Sequence, residues 1–80
     1  MSWYVYIIEA SDNTLYTGIT TDLERRFKQH LAGTGAKYFK GRTPESFVYT
    51  EGKHDRSSAS IREAAIKKLT RREKLQLIKR

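Results

Sequence analysis

One short segment carries a tyrosine, an arginine and a histidine, whose side chains can exchange protons or bind anions. The stretch LYTGITTDLERRFKQH, residues 15–30, places Tyr16 two residues before Gly18, and then places Arg26 and His30 four residues apart. Residues at positions i and i+4 are neighbours on the surface of a helix. Arg26 and His30 would therefore present a cation and an imidazole side by side, at the boundary between that helix and the sheet.

Glu63 adds a carboxylate on a later predicted helix, where it is the one acid within residues 56–72. Each of these side chains has an ordinary structural explanation when it is taken alone. A tyrosine in a strand usually packs, a helical arginine is usually solvated, and Glu63 could simply pair with Lys67 one turn later. The sequence contains no phosphate-binding loop, no HExxH motif and no nucleophile elbow. Any chemistry therefore depends on the combination of these residues.

The charge of the chain favours a polyanionic partner. Its 80 residues include 16 Lys and Arg against nine Asp and Glu, which gives a net charge of +7. Such an excess on a small domain is typical of nucleic-acid binding, although solubility alone would also explain it. The absence of cysteine excludes a disulfide and a cysteine-based metal site or nucleophile. Because the sequence also lacks a long apolar segment, we expect a cytoplasmic protein that has no membrane partner.

Local signals predict the strands that would position these groups. β-branched and aromatic residues indicate strands over residues 3–9, 14–20 and 46–51, and the turn signal ASDN makes the first two a hairpin. A loop over residues 32–45 carries three glycines and the only proline. With three helices the order becomes β-β-α-β-α-α, which predicts one α+β domain over residues 1–80.

The first helix should begin at Thr21, which forms a capping box with Glu24, and should stop at Gly33. Its apolar stripe consists of Leu23, Phe27 and Leu31.

The second helix is predicted over residues 58–69, and the third over residues 71–78 behind a capping box of Thr70 and Glu73. The residues expected to be buried on these two helices are Ile61, Ala65, Leu69, Leu75 and Ile78.

The length of the hairpin turn decides whether two tyrosines share a face of the sheet. A two-residue turn would place Tyr6 and Tyr16 on opposite faces. A three-residue turn over residues 11–13 would pair Tyr6 with Gly18 and place both tyrosines on one face, with space beside the Tyr6 ring. The alternation of side chains along a strand allows both registers.

Taken together, these residues resemble the GIY-YIG nuclease family. The first family motif resembles YVY here, Tyr4–Tyr6, and the second resembles YTG, Tyr16–Gly18. The family places an arginine ten residues after the second tyrosine, as Arg26 stands, and many members carry a histidine that matches His30. Glu63, in IREAAIKKLT, matches the family glutamate. The spacing, and the loop GTGAKYFKGRTP, are similar to those of the short, single-domain, YhbQ-like bacterial branch.

The resemblance implies a three-stranded antiparallel sheet flanked by helices and metal-dependent hydrolysis of a DNA phosphodiester. Glu63 would hold Mg²⁺ or Mn²⁺, Arg26 would neutralise charge on the phosphoryl oxygens, and Tyr16 would be the general base. Tyr6 would orient water or phosphate, and His30 would be its hydrogen-bond or proton partner. Such an endonuclease would be structure-selective or weakly sequence-specific and would suit DNA repair or recombination. Its DNA contacts would be Gly18, Arg25, Lys28, Lys37, Lys40 and Arg42.

Two alternatives remain open at the level of the sequence. One is a basic nucleic-acid-binding module of the same fold with lost or weak catalysis. The late asparagine of many family members has no counterpart, because the only asparagine is Asn13 in the hairpin. The other is a protein-interaction adaptor, which would need an exposed apolar patch, with Tyr38 and Phe39 as its candidates. An activating protein partner would be compatible with the nuclease.

Overall fold

The computed structural model describes residues 2–79, and its strands form one antiparallel sheet in the order β2–β1–β3. Strand β1 spans Trp3–Ala10, β2 spans Leu15–Thr20 and β3 spans Pro44–His54. Both neighbours run antiparallel to β1. The predicted three-stranded antiparallel sheet is confirmed, with β1 as its central strand.

Three α-helices and one 3₁₀ turn complete the chain. Helix α1 spans Leu23–Leu31, the 3₁₀ turn spans Lys37–Lys40, α2 spans Arg56–Lys67 and α3 spans Arg71–Ile78. The element order β-β-α-β-α-α is therefore confirmed, as is the α+β class. Within residues 2–79, no helix has the length and apolar character needed to cross a membrane.

The central strand β1 divides the core into two apolar clusters, because successive side chains point to opposite faces of a sheet. On one face Val5 and Ile7 pack against Ala59 and Ile66 of α2, with α3 residues beside them. On the other face lie α1 and the 3₁₀ turn. The buried residues of that second cluster are Tyr6, Ile8, Ala10 and Phe39.

The hairpin adopts the register that places both tyrosines on one face. Tyr6 pairs with Gly18, and Ile8 pairs with Tyr16, as a three-residue turn requires. Asn13 completes the turn with φ of 66°, in the left-handed region that asparagine tolerates better than most residues. The two tyrosines are thereby neighbours, with ring centroids 6.3 Å apart.

Helix α1 begins one residue later than predicted, because the cap is Asp22 and not Thr21. The Asp22 carboxylate accepts a hydrogen bond from the Arg25 backbone N–H at 3.0 Å. Aspartate is a slightly better N-cap than threonine, so Asp22 takes the position. The predicted stop at Gly33 is confirmed, since that residue has φ of +76° directly after the Ala32 cap.

Helix α2 buries a different face from the one predicted. Ile61 is 70% exposed, and Ala65 is also exposed, whereas Ala59 and Ile66 are fully buried. The face is set by polar contacts as well as apolar ones, because Arg62 turns towards the sheet and pairs with Glu51 at 3.0 Å. The prediction of a buried stripe through Ile61 and Ala65 was wrong.

Two further burial predictions and several element boundaries also change. Leu31 and Leu75 are exposed, since α1 and α3 contact the sheet through other residues. Helix α2 begins at Arg56, two residues early, because Asp55 caps it in a box with Ser58. Strand β3 extends past the predicted 46–51 at both ends because it pairs with the whole of β1. The capping box that starts α3 is confirmed.

The close approach of Tyr6 to position 18 predicts a strong effect of adding one methyl group. A Cβ atom at position 18 would lie 2.6 Å from Tyr6 Cζ, and Tyr6 is fully buried. Because the ring has no free space to move into, Gly18→Ala should lower the free energy of unfolding by about 1–3 kcal/mol. Urea denaturation measures this change.

Gly41→Ala is the matched control. Position 41 has φ of −117° and no atom within 4 Å of an added Cβ, and the substitution has the same effect on the unfolded chain. Equal unfolding free energies for the two variants would show that the Tyr6 ring does not press on Gly18.

Candidate active site

Three of the residues singled out in the sequence meet at the hydroxyl group of Tyr6. A hydrogen bond of 2.8 Å joins Tyr6 Oη to His30 Nε2. Arg26 Nε donates to the same oxygen over a longer distance of 3.4 Å. Because Gly18 has no side chain, the Tyr6 ring lies across β2 and its hydroxyl reaches α1. The sheet and α1 thus bring a phenol, a guanidinium and an imidazole together.

Tyr16 stands beside this group on the same face, but it is only half-buried. Its ring centroid lies 5.3 Å from that of His30, and aromatic rings of the 3₁₀ turn pack around it. Tyr38 lies at 5.1 Å and Phe39 at 5.2 Å from Tyr16, measured between ring centroids. The 3₁₀ turn therefore forms one side of the candidate site and leaves the Tyr16 side chain partly open to solvent.

The guanidinium of Arg26 is held in place by a neighbour on its own helix. Arg26 Nη1 donates to Gln29 Oε1 at 3.0 Å, while Nε points at Tyr6. Arg26 itself is half-buried. Sequence reasoning overlooked Gln29, and the i, i+3 spacing from Arg26 was the available signal.

His30 is fully buried, where the sequence had suggested a boundary position. Burial, and then the nearby charge of Arg26, lower the pKa of His30 from 6.5 to about 4. The imidazole is therefore neutral at pH 7. A Cβ at Gly35 would lie 2.5 Å from His30 Nδ1, so the loop backbone closes directly over the ring. Gly35 is a second contributor that sequence reasoning overlooked, and no local pattern pointed to it.

The surroundings of Tyr6 keep its phenol protonated. Burial raises the pKa of Tyr6 to about 12, with the hydrogen bond from Arg26 acting in the opposite direction. The negative charge of Glu63 also contributes to this rise. Tyr6 is thus a neutral phenol at physiological pH, suited to hydrogen bonding and unsuited to accepting a proton.

Glu63 lies on α2, on the opposite face of the sheet from α1, and its negative charge acts on the Tyr6 hydroxyl. Its side chain is 23% exposed, and its Oε2 lies 3.3 Å from Lys67 Nζ. Residues 2–79 contain no cluster of three His, Cys, Asp or Glu side chains suited to a metal ion. Mg²⁺ is commonly held by one or two carboxylates together with water and substrate phosphate. A single accessible carboxylate whose charge acts on the Tyr6 hydroxyl fits an ion shared with a substrate.

The predicted DNA-contacting cations differ in how freely they could bind a phosphate. Lys37, Lys40 and Arg25 are exposed. Lys28 pairs with Glu24 at 3.3 Å on the exposed side of α1.

Arg42 is tied to the protein itself, where the sequence had suggested a free phosphate contact. Its Nε lies 2.6 Å from Asp12 Oδ2, and its guanidinium stacks over the Tyr38 ring at 4.2 Å from the centroid. Hydrogen bonds from Thr14 and then Arg42 lower the pKa of Asp12 to about 2. Arg42 therefore joins the basic loop to the β1–β2 turn.

Tyr38 and Phe39 do not form the exposed patch that a protein-interaction adaptor would need. Phe39 is buried in the second core cluster, and Tyr38 is half-buried between Tyr16 and Arg42. These rings fold the loop inward, which places Lys37 and Lys40 on its outer surface.

The fold and the two tyrosine motifs define a GIY-YIG domain. The family model described as the GIY-YIG catalytic domain matches residues 2–76, which is nearly the whole chain. The chain therefore belongs to the GIY-YIG family, as its motifs predicted.

Relatives place the chain in the short UPF0213 group, which includes YhbQ. A UPF0213 protein of Haloquadratum walsbyi is 57% identical over 74 residues, covering 92% of this chain and 83% of the relative. The UPF0213 protein YhbQ of Escherichia coli is 46% identical over 76 residues, covering 95% of this chain and 76% of the relative. The predicted short, YhbQ-like branch is confirmed.

Two solution NMR structures share the fold. A UPF0213 protein of Bacillus halodurans is 46% identical with a TM-score of 0.63, and a protein of E. faecalis is 45% identical with a TM-score of 0.68. In each comparison the match covers 99% of this chain and 84% of the other.

The lowered pKa of His30 predicts a loss of stability in weak acid. The folded protein holds this group at a pKa of about 4, against 6.5 for an unperturbed histidine. Between these values the unfolded chain binds more protons, so the stability due to neutral His30 is full above pH 6.5 and is lost as the pH falls towards 4. His30→Gln should flatten this part of the pH dependence of the unfolding free energy.

An NMR titration of the His30 ring provides the direct measurement. The ring resonances should remain unchanged from pH 8 to about pH 5. A midpoint close to 6.5 would contradict the burial of a neutral imidazole.

Proposed function

We propose that the chain is a divalent-metal-dependent DNA endonuclease that hydrolyses phosphodiester bonds in DNA repair or recombination. The observation that most directly supports this proposal is that Arg26 and His30 both contact the Tyr6 hydroxyl, beside the more accessible Tyr16. Membership of a family of catalytic nuclease domains supports DNA as the substrate. These side chains offer an anion-binding cation and two phenols that differ in burial.

Arg26 would bind the phosphate that is cut. Its guanidinium is preorganised, because Gln29 and Tyr6 fix it from two sides. Charge that develops on the phosphoryl oxygens would be stabilised by a donor that needs no further ordering. Partial burial strengthens this attraction, since the site is less polarisable than bulk water.

Tyr16 would be the general base that takes a proton from the attacking water. The structure favours it over Tyr6 on chemical grounds, since the pKa of Tyr6 is raised to about 12 by burial. Tyr16 is only half-buried, so its side chain is partly open to solvent. Tyr6 would instead donate or accept a hydrogen bond that orients water or phosphate, with neutral His30 as its partner.

Glu63 would hold the divalent ion, Mg²⁺ or Mn²⁺. When bound, such an ion polarises the phosphate and stabilises the leaving oxygen. Glu63 is suited to this task because its carboxylate is partly exposed and its partner in the free protein is the flexible Lys67 side chain.

The exposed cations would position DNA without reading its sequence. Lys37, Lys40, Arg25 and Lys28 are basic side chains on the surface, and phosphate contacts of this kind carry no base code. We therefore propose a structure-selective or weakly specific enzyme. Gly18 would contribute by allowing Tyr6 to reach the site.

A nucleic-acid-binding module with weak catalysis is the second candidate. The observation that favours it is the position of Asn13, which occupies the β1–β2 turn, away from the late segment where many family members carry an asparagine. This candidate predicts DNA binding without metal-dependent cleavage.

A cleavage assay with two conservative variants tests the nuclease. The purified protein is incubated with labelled single-stranded, duplex and branched DNA in Mg²⁺, Mn²⁺ or EDTA. Because Tyr16→Phe removes the proposed base, it should lower the cleavage rate by about 10²-fold or more. Glu63→Gln should reduce cleavage to the level seen in EDTA, because it removes the charge that would hold the ion.

Matched control variants remove a phenol hydroxyl and a carboxylate at positions outside the candidate active site. Tyr49→Phe removes a phenol on β3, and Glu45→Gln removes an exposed carboxylate, and both variants should cut normally. Cutting by Glu63→Gln at the wild-type rate would reveal a contaminating nuclease. Binding without cutting under every condition would favour the binding module.

The loop cations should differ in their effect on DNA affinity. Replacing Lys37 and Lys40 together with glutamine should lower the slope of log affinity against log salt by about 1.8, since each phosphate contact contributes about 0.9. Arg42→Gln should change this slope less, because Asp12 already neutralises Arg42. Fluorescence anisotropy at several salt concentrations measures both. A larger slope change for Arg42→Gln would mean that Arg42 leaves Asp12 to bind DNA.

A further inference from the structure

The segment KKLTRREK, residues 67–74, carries much of the charge of the chain and joins α2 to α3. It contains five cations and one acid, and therefore four of the seven net positive charges. The acid is Glu73, whose carboxylate accepts a hydrogen bond from the Thr70 backbone N–H at 2.9 Å. Glu73 is thus engaged in the helix cap, and the local positive charge is left in excess.

The cations of this segment face solvent at the corner between α2 and α3. We call this surface the α2–α3 corner and define it by the four exposed cations Lys67, Lys68, Arg71 and Arg72. Among residues 2–79, Lys67 is the only one of the four in an ion pair, and its partner is Glu63.

Helix stability does not explain the two arginines of the corner. Arg71 and Arg72 occupy the first turn of α3, where the helix dipole disfavours cations. Four residues later stand Leu75 and Gln76, so no acid on the same face compensates them. A bound polyanion would compensate this unfavourable arrangement.

The corner is continuous with the candidate active site. Lys67 contacts Glu63 directly, and Lys68 follows about 7.5 Å along the helix axis from Glu63. The corner therefore lies close enough to Glu63 to contact the backbone of a DNA strand whose phosphate is bound there. It stands on the α2 face of the sheet, whereas Lys37 and Lys40 belong to the face that α1 covers.

We propose that the α2–α3 corner is a second phosphate-binding surface, which holds the DNA backbone next to the phosphate bound at the candidate active site. This inference rests on the proposed function for the identity of the polyanion and for the position of the cut. The favoured substrate is then DNA that extends beyond the cut and is bound on both faces of the sheet.

A matched pair of double variants tests the corner. Lys68→Gln with Arg72→Gln removes two charges from it, while Lys53→Gln with Arg56→Gln removes two exposed charges near the other end of α2, about 17 Å away. Binding of a labelled duplex is measured by anisotropy in EDTA, so that cleavage plays no part. Thermal unfolding followed by circular dichroism checks that both variants fold.

The corner variant should lose about tenfold or more in affinity at about 0.1 M salt, and its salt slope should fall by about 1.8. The control variant should retain most of the wild-type affinity and most of the wild-type salt slope. If wild-type protein binds DNA and the two variants lose equal affinity, or neither loses any, the corner is not a binding surface, whereas the proposed nuclease is untouched. If the wild type binds no DNA at any salt concentration, both the corner and the proposed function fail.

Discussion

The candidate site depends on a single buried contact, the passage of the Tyr6 ring over Gly18. Tyr6 stands on the central strand, so the sheet fixes its backbone from both sides. Its hydroxyl is the point at which His30 and Arg26 of α1 meet the sheet. A side chain at position 18 would displace the ring and separate these three groups. The same contact therefore packs the core and assembles the polar site.

The sheet also divides the chemistry between its two faces. The α1 face provides the phenols, the guanidinium and a neutral imidazole, while α2 brings the carboxylate of Glu63 from the other face. Burial then distinguishes the two phenols, because it raises the pKa of Tyr6 to about 12 and leaves Tyr16 half-exposed. Two tyrosines on one face of the sheet can thus take different roles because they differ in burial.

Sequence patterns were most informative where one residue type dominates the local energetics. The strands, the element order and the α3 capping box followed from such signals, and the family motifs located the residues that meet at Tyr6. Tertiary contacts decided the rest. Alternation allowed two hairpin registers, and Asp22 displaced Thr21 as a cap. Helix α2 turns Arg62 towards Glu51 of β3 and leaves Ile61 exposed. The closure of Gly35 over His30 depends on a loop path that no local pattern encodes.

Because Glu63 is the single candidate metal-binding carboxylate, metal binding in the proposed nuclease would depend on bound DNA. A hard cation needs several oxygen ligands, and Glu63 can supply only a part of them. The remaining ligands would come from water and from the substrate phosphate, so ion affinity would rise when DNA is bound. In the free protein Lys67 pairs with Glu63 and partly neutralises the carboxylate that would otherwise hold the ion. The basic surfaces would meanwhile bind DNA without any ion. In the proposed nuclease, DNA binding and metal binding are therefore coupled through Glu63, and the substrate completes the site that cuts it.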